Sequence, residues 1–231
     1  MNPLVERFRG AVEGGRDPVR AVRMAAYMRD QFRFAGIRAP ELAVIYREAA
    51  AGLPRPAVEA DVTAVALACW ELPEREYQHL GCAHLRRHAD LLGPTSVEAL
   101  ERLVSTKSWW DTVDELATHV AGTMVDRHPE LRTVMKRWVT SDNMWLTRVA
   151  ILHQERWKRR TDAALLFEFC LRRAGDREFF VRKAIGWALR SYAKADPDAV
   201  AAFLGEHGDR LSGLSRREAE RGVEMGRAAP R

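Results

Sequence analysis

The stretch Val181-Arg182-Lys183-Ala184-Ile185-Gly186-Trp187-Ala188-Leu189-Arg190-Ser191-Tyr192-Ala193-Lys194 carries two patterns at once. At about 100° per residue, Val181, Ile185, Ala188, Leu189 and Tyr192 fall on one apolar face, as in a helix packed on one side. Lys183, Trp187, Arg190 and Lys194 recur at i, i+4, i+7 and i+11 and line the opposite side. A core-packing tryptophan has no reason to stand in the middle of a cationic stripe. Such a stripe suits a phosphodiester backbone, with the cations on phosphates and the indole offered to sugar or base. The other reading is a solvated charged face whose tryptophan lies under neighbouring lysine stems.

Outward from that helix the punctuation is helical throughout. Asn2-Pro3, Asp17-Pro18, Ala39-Pro40-Glu41, Leu72-Pro73-Glu74, His128-Pro129-Glu130 and Asp196-Pro197-Asp198 each place a proline where a helix tolerates one, in its first turn. Thr95-Ser96, Ser141-Asp142-Asn143 and Ser215 read as caps without proline. Ala35-Gly36 and Gly52 close helices. No β-branched run alternates with polar residues, and no Asn-Gly or Asp-Gly pair signals a hairpin. The pattern predicts about a dozen helices of roughly 10 to 18 residues with short connections. Starts recur every ~35 to 45 residues, the spacing of HEAT-type repeats, and periodicity alone leaves an α-solenoid or a globular bundle open. A single domain is expected over residues 1–224, with a disordered tail over 225–231.

Of 231 residues, 47% are hydrophobic and 30% charged, which excludes disorder as the main state. No apolar run approaches the roughly 20 residues of a membrane span, and the early charges of the N-terminus do not form a signal core. A soluble intracellular protein is the expectation. Lys and Arg exceed Asp and Glu by 37 to 32, a balance that favours a polyanion only where the cations share a face. Cys69, Cys82 and Cys170 lie far apart without metal-type spacing and read as reduced, mostly buried thiols. His84 and His88 have i, i+4 spacing but no zincin glutamate, so they read as exposed helix histidines. P-loop, dinucleotide and nucleophile-elbow motifs are all lacking, and no metal, nucleotide or redox cofactor is expected.

Among the seven tryptophans, Trp70, Trp138 and Trp157 stand beside aliphatic positions and read as core. Trp109, Trp110, Trp145 and Trp187 stand among polar residues. In Lys107-Ser108-Trp109-Trp110-Asp111-Thr112-Val113-Asp114, Ser108 with Asp111 reads as a capping box, which gives Asp111 a structural task. Trp109, Val113, Leu116 and Val120 form the apolar stripe, and Trp110 and Asp114, four apart, share its shoulder. A carboxylate beside an aromatic face is able to stabilise a developing cation on a sugar; taken alone, Asp114 reads rather as an ordinary solvated or salt-bridged residue. Arg148, just inside a helix capped by Asp142 or Asn143, either clamps a phosphate or pairs with Glu155 or a neighbouring helix.

With these residues the sequence resembles the DNA alkylation repair enzymes of the AlkD type, glycosylases built from HEAT-like repeats. The resemblance runs from about Met24 to Val223. Its most specific motifs are Ser108-Trp109-Trp110-Asp111-x-x-Asp114 and Lys183-Ala184-Ile185-Gly186-Trp187-x-Leu189-Arg190. Supporting stretches include Ala26 to Arg29, Trp70 to Glu76, Ser141 to Asn143 and Leu214 to Ala219. The family's functional positions fall on Trp110, Asp114, Arg148 and Trp187, each with the residue type the family uses. Tyr27 and Arg190 match positions of its DNA-binding groove, and Arg156 stands where the family usually has lysine.

The resemblance implies an all-α, HEAT-like repeat α-solenoid of antiparallel helix pairs whose curvature forms a concave basic groove. It implies a monofunctional glycosylase that excises positively charged N-alkylpurines, such as 3-methyladenine and 7-methylguanine, from duplex DNA. A cationic base is already a good leaving group, so one carboxylate without a general acid suffices. Asp114 would stabilise an oxocarbenium-like transition state and position water, with Trp110 and Trp187 against the deoxyribose. Arg148, Arg190, Tyr27, Lys183, Lys194 and Arg156 would hold DNA, and no tight base pocket is expected. A monomer in a bacterial cytoplasm, on the nucleoid through its DNA, is the accompanying expectation. The competing reading is a non-catalytic HEAT-repeat module that senses distorted or alkylated DNA.

Overall fold

A computed structural model describes residues 2–228 and divides the chain into two compact units, Met1–Leu103 and Val104–Arg231. The first unit contains α1 (Pro3–Gly14), α2 (Pro18–Tyr27), α3 (Ala39–Ala50), α4 (Glu59–Glu71) and α5 (Arg75–Arg87). α6 (Val97–Ser105) runs across the division. Asn2 and Asp17 cap α1 and α2 as their sequences require, each side chain accepting a first-turn amide, Leu4 N at 3.0 Å and Arg20 N at 2.9 Å. Phe8, Val12, Val65, Cys69 and Leu80 form the buried centre of this unit. Burying each large apolar side chain contributes about 1.5–3 kcal/mol.

The loop between α2 and α3 is organised by one buried carboxylate. Glu76 of α5 accepts the backbone N–H groups of Ala35 (2.9 Å), Gly36 (2.8 Å) and Ile37 (3.1 Å). Gly36 has φ +95°, and a Cβ there would meet the Asp17 carbonyl at 2.1 Å. Only glycine satisfies both conditions. Beside it, the fully buried Arg75 guanidinium lies over the Phe32 ring at 3.8 Å.

The second unit opens with a continuous helical run in three parts. α7 (Trp110–Glu115) passes into a π-helical turn (Leu116–Ala121) and then α8 (Gly122–Arg127). α9 (Arg132–Trp138), α10 (Met144–Leu152), α11 (Ala163–Arg172), α12 (Phe179–Ala193), α13 (Pro197–His207) and α14 (Gly213–Ala228) follow. Every residue of α10 from Trp145 to Leu152 is buried, which makes it the central helix of the unit. α12 packs along α14 and α10, and α13 packs on α14. At Gly122 a Cβ would meet the His153 carbonyl at 2.3 Å, so the start of α8 lies against the end of α10 without a side chain between them.

The fold class is all-α, with successive helices packed as pairs in the manner of an α-solenoid. Among the described residues the only strand-like pairing is an isolated bridge between Arg33 and Glu74. The α-helices range from 6 to 16 residues, shorter at the low end than the sequence pattern suggested: the π turn divides one run into α7 and α8, and α6, α9 and α10 have 9, 7 and 9 residues. α14 continues to Ala228, so Met225–Ala228 are helical, and residues 229–231 lie outside the described residues. No helix among the described residues is long and apolar enough to cross a membrane.

Candidate functional site

α7 begins at Trp110, with Trp109 as its extended N-cap residue. The expected capping box is not formed. Ser108 turns back and its hydroxyl donates to the Val104 carbonyl at 2.6 Å, while Lys107 before it takes φ +49°. This places Trp110 and Asp114 one turn apart on the same short helix.

Asp114 is held by one partner through both oxygens. Arg148 on α10 donates from Nε to Oδ1 (2.6 Å) and from Nη2 to Oδ2 (2.8 Å), and its Nη1 donates to the Phe180 carbonyl at 2.7 Å. The side chains are 6% exposed for Arg148 and 19% for Asp114, so the pair is shielded but its acid keeps an opening to solvent. Burial pushes the Asp114 carboxyl above its ordinary range, the Arg148 guanidinium pulls it back, and Asp111 and Glu115 add same-sign repulsion. The fork geometry restricts Asp114 to one orientation.

Aromatic rings surround the guanidinium. Arg148 lies 5.9 Å from the ring centres of both Phe180 and Trp187. Phe180 in turn packs on Trp145 at 4.9 Å and edge-on to Trp109 at 5.2 Å. Trp145 is therefore buried support (7% exposed), not a residue of a polar surface as its sequence neighbours suggested. Asn143, not Asp142, caps its helix, accepting from Trp145 N at 2.9 Å. Asp114, Arg148 and Trp187 thus come together from α7, α10 and α12. One buried acid, one fixed cation and an indole can bind and stabilise a cationic fragment, such as a sugar developing positive charge.

The cationic stripe of α12 exists, with a counter-ion that sequence did not reveal. Lys183 and Arg190 both pair with Glu218 of α14, Lys183 Nζ at 3.2 Å and Arg190 through Nη1. Gly186 makes this possible: a Cβ there would meet Glu218 Cβ at 2.8 Å. Glu218 lies in the stretch Leu214 to Ala219, and no spacing there points to its partners on α12. Arg156 and Lys194 line one cavity of about 670 Å³ together with Lys158, Arg159 and Ser191. Lys158 and Arg159 lie in a short 3-10 turn, outside any helical stripe that sequence spacing would show.

Tyr27 belongs to the first unit, at the end of α2, a helix without a buried residue, and is 72% exposed. His84 departs from expectation. It is 2% exposed, bonded through Nδ1 to the Tyr46 hydroxyl at 3.0 Å, and covered by the His88 ring at 4.8 Å. Among the described residues no group of three or more His, Cys, Asp or Glu side chains is placed to hold a metal ion. Cys69, Cys82 and Cys170 are buried and none of them is in a disulfide.

The chain is thus an all-α protein of paired helices in which an oriented, partly open acid lies beside Trp187, on the helix face that carries Lys183 and Arg190. Residues 9–222 match the family model described as DNA alkylation repair enzyme, and the chain belongs to that family. It is similar to a solved structure described as a predicted DNA alkylation repair enzyme from Enterococcus faecalis. That likeness has 31% identity and a TM-score of 0.79, and covers 89% of this chain and 95% of the other. Among curated proteins none matches the chain. Family membership supports a role in DNA repair, with DNA as the partner.

Proposed function

We propose that the chain is a monofunctional DNA glycosylase that removes positively charged N-alkylpurines from duplex DNA and leaves an abasic site. The observation that carries this reading is the forked Asp114–Arg148 pair beside Trp187. As the glycosidic bond breaks, the neutral base departs and positive charge moves to the deoxyribose. A fixed, partly desolvated carboxylate stabilises that charge more than the ground state and orients water for attack at the anomeric carbon. Because Arg148 gives its donors to Asp114 and the Phe180 carbonyl, its part is to position the acid, with phosphate contact secondary. Trp110 and Trp187 flank the sugar. Lys183, Arg190, Lys194 and Arg156 hold the DNA backbone, and Tyr27 is a further DNA contact. The enzyme acts as a monomer and encloses no tight base pocket.

Single-turnover release of 7-methylguanine from methylated duplex DNA tests the reading. Wild type releases the base, and Asp114→Asn loses at least ~100-fold in rate while retaining DNA affinity, the size of effect expected for one electrostatic contact. An unchanged rate in Asp114→Asn removes Asp114 from the chemistry. The full engagement of both Asp114 oxygens by Arg148 favours a second reading, a damage-sensing module without catalysis. That reading predicts no release by wild type with salt-sensitive DNA binding intact.

A further inference from the structure

The first unit contains a cavity of about 470 Å³ that the proposed chemistry does not use. Its size is that of a small-ligand site, and its walls include Leu53, Pro54, Pro56 and Val65. Arg55, between α3 and α4, and Arg87 and His88, at the end of α5, also line it. Neither arginine has a carboxylate partner among the described residues. Asp61, the acid in the lining, is already engaged, accepting the backbone N–H groups of Ala57 at 3.1 Å and Val58 at 3.4 Å. The positive fields of Arg87 and Arg55 both reach His88, against Asp90 alone on the acidic side.

Two further features point the same way. Asn2, Pro3 and Leu4 bring the start of the twelve-residue α1 to the cavity; Pro3 has no N–H and Leu4 N donates to Asn2 Oδ1, so the helix end adds its dipole there and not amide donors from these residues. The floor holds the buried Tyr46–His84 pair, and His84 Nε2 is closed from solvent without a hydrogen-bond partner under the His88 ring. His88, the C-cap residue of α5, packs its ring against His84 and also lines the cavity. A buried ring nitrogen without a partner costs stability unless a ligand or a moved side chain completes it.

We propose that this cavity binds a phosphate monoester of nucleotide size as a free small molecule. The two unpaired guanidiniums and the helix end match a dianionic headgroup. The apolar walls match a flat or aliphatic body. The site lies wholly within the first unit and does not depend on the glycosylase reading.

Titration of the full chain with dGMP, followed by calorimetry, tests the inference. The expected result is saturable binding that Arg55→Ala and Arg87→Ala each weaken by about tenfold, with Arg87→Lys retaining most of it. Deoxyguanosine and inorganic phosphate, each half of the ligand, bind more weakly than dGMP. Both arginines are exposed, so the variants keep the fold, which circular dichroism verifies. The proposal is overturned by absence of saturable binding, by equal binding of deoxyguanosine, or by affinity unchanged in both alanine variants. Competition by unmodified duplex DNA would also overturn it, because the phosphate contact would then belong to DNA binding.

Discussion

Glu76, in the first unit, spends its two oxygens on three backbone amides, whereas Asp114, in the second, spends both on a single guanidinium. Glu76 is fully buried, and its partners belong to the chain's own connection between α2 and α3. Asp114 keeps an opening to solvent and faces a side chain ringed by aromatics. A carboxylate tied to amides fixes backbone and has no capacity left for a ligand. One tied to a guanidinium is oriented while its charge remains usable. Acids of the two kinds are indistinguishable by residue type; their partners separate them.

Substitution at the two acids breaks the comparison most directly. Glu76→Ala leaves three buried N–H donors without acceptors, at about 1–3 kcal/mol each, so the first unit loses roughly 3 kcal/mol or more. A urea midpoint that falls steeply supports this, and an unchanged midpoint removes Glu76 from the fold's support. Asp114→Asn keeps one oxygen for Arg148 but turns an amide N–H donor towards the other guanidinium donor and removes the counter-charge, so its urea midpoint falls too, while excision collapses.

Acid unfolding compares the two units on equal terms, because each has a buried neutral histidine. Burial lowers the pKa of His84 and of His153 from 6.5 to about 4. The unfolded chain therefore binds protons that the native one refuses between pH 6.5 and 4. Stability is full above that window and falls as pH drops through it, by up to ~3 kcal/mol per histidine. Melting temperatures at pH 7 and pH 5 check the sign, and a flat profile would show that both rings reach solvent before unfolding.

Removing the guanidinium sharpens the reading of Asp114. Arg148→Met deletes the interaction that pulls the Asp114 carboxyl down and leaves the desolvation that pushes it up. The acidic limb of the excision rate then moves to higher pH. An unmoved limb, with only DNA affinity reduced, would return Arg148 to a phosphate-clamp role. The smallest effect is expected at Glu218→Gln. Releasing Lys183 and Arg190 from their counter-ion raises affinity for unmodified duplex several-fold at low salt and steepens its salt dependence.

Much of the fold was legible in the sequence because proline and cap residues mark helix starts by local chemistry. Asn2-Pro3, Asp17-Pro18 and Asp196-Pro197 each stand where the backbone needs them. The α12 stripe was legible for the same reason: one helix face is a property of spacing alone. The Asp114–Arg148 pair was not, since 34 residues separate its members and Arg148 reads equally well as a surface cation. Glu218 was hidden because a counter-ion from another helix leaves no local pattern. His84 was misread because i, i+4 spacing does not tell which face of α5 is covered.

The π turn at Leu116–Ala121 gives the helix two phases. One extra residue per turn shifts every side chain after it by about 100° relative to an unbroken α-helix. Trp110 and Asp114 are aimed by the first phase, while Gly122, which must face the His153 carbonyl, is aimed by the second. Deleting a single residue between 116 and 121 would restore one phase, and the acid and the close contact could no longer both point correctly. The chain is thus more sensitive to length here than to residue identity, and tolerance of indels should be lowest in this one turn.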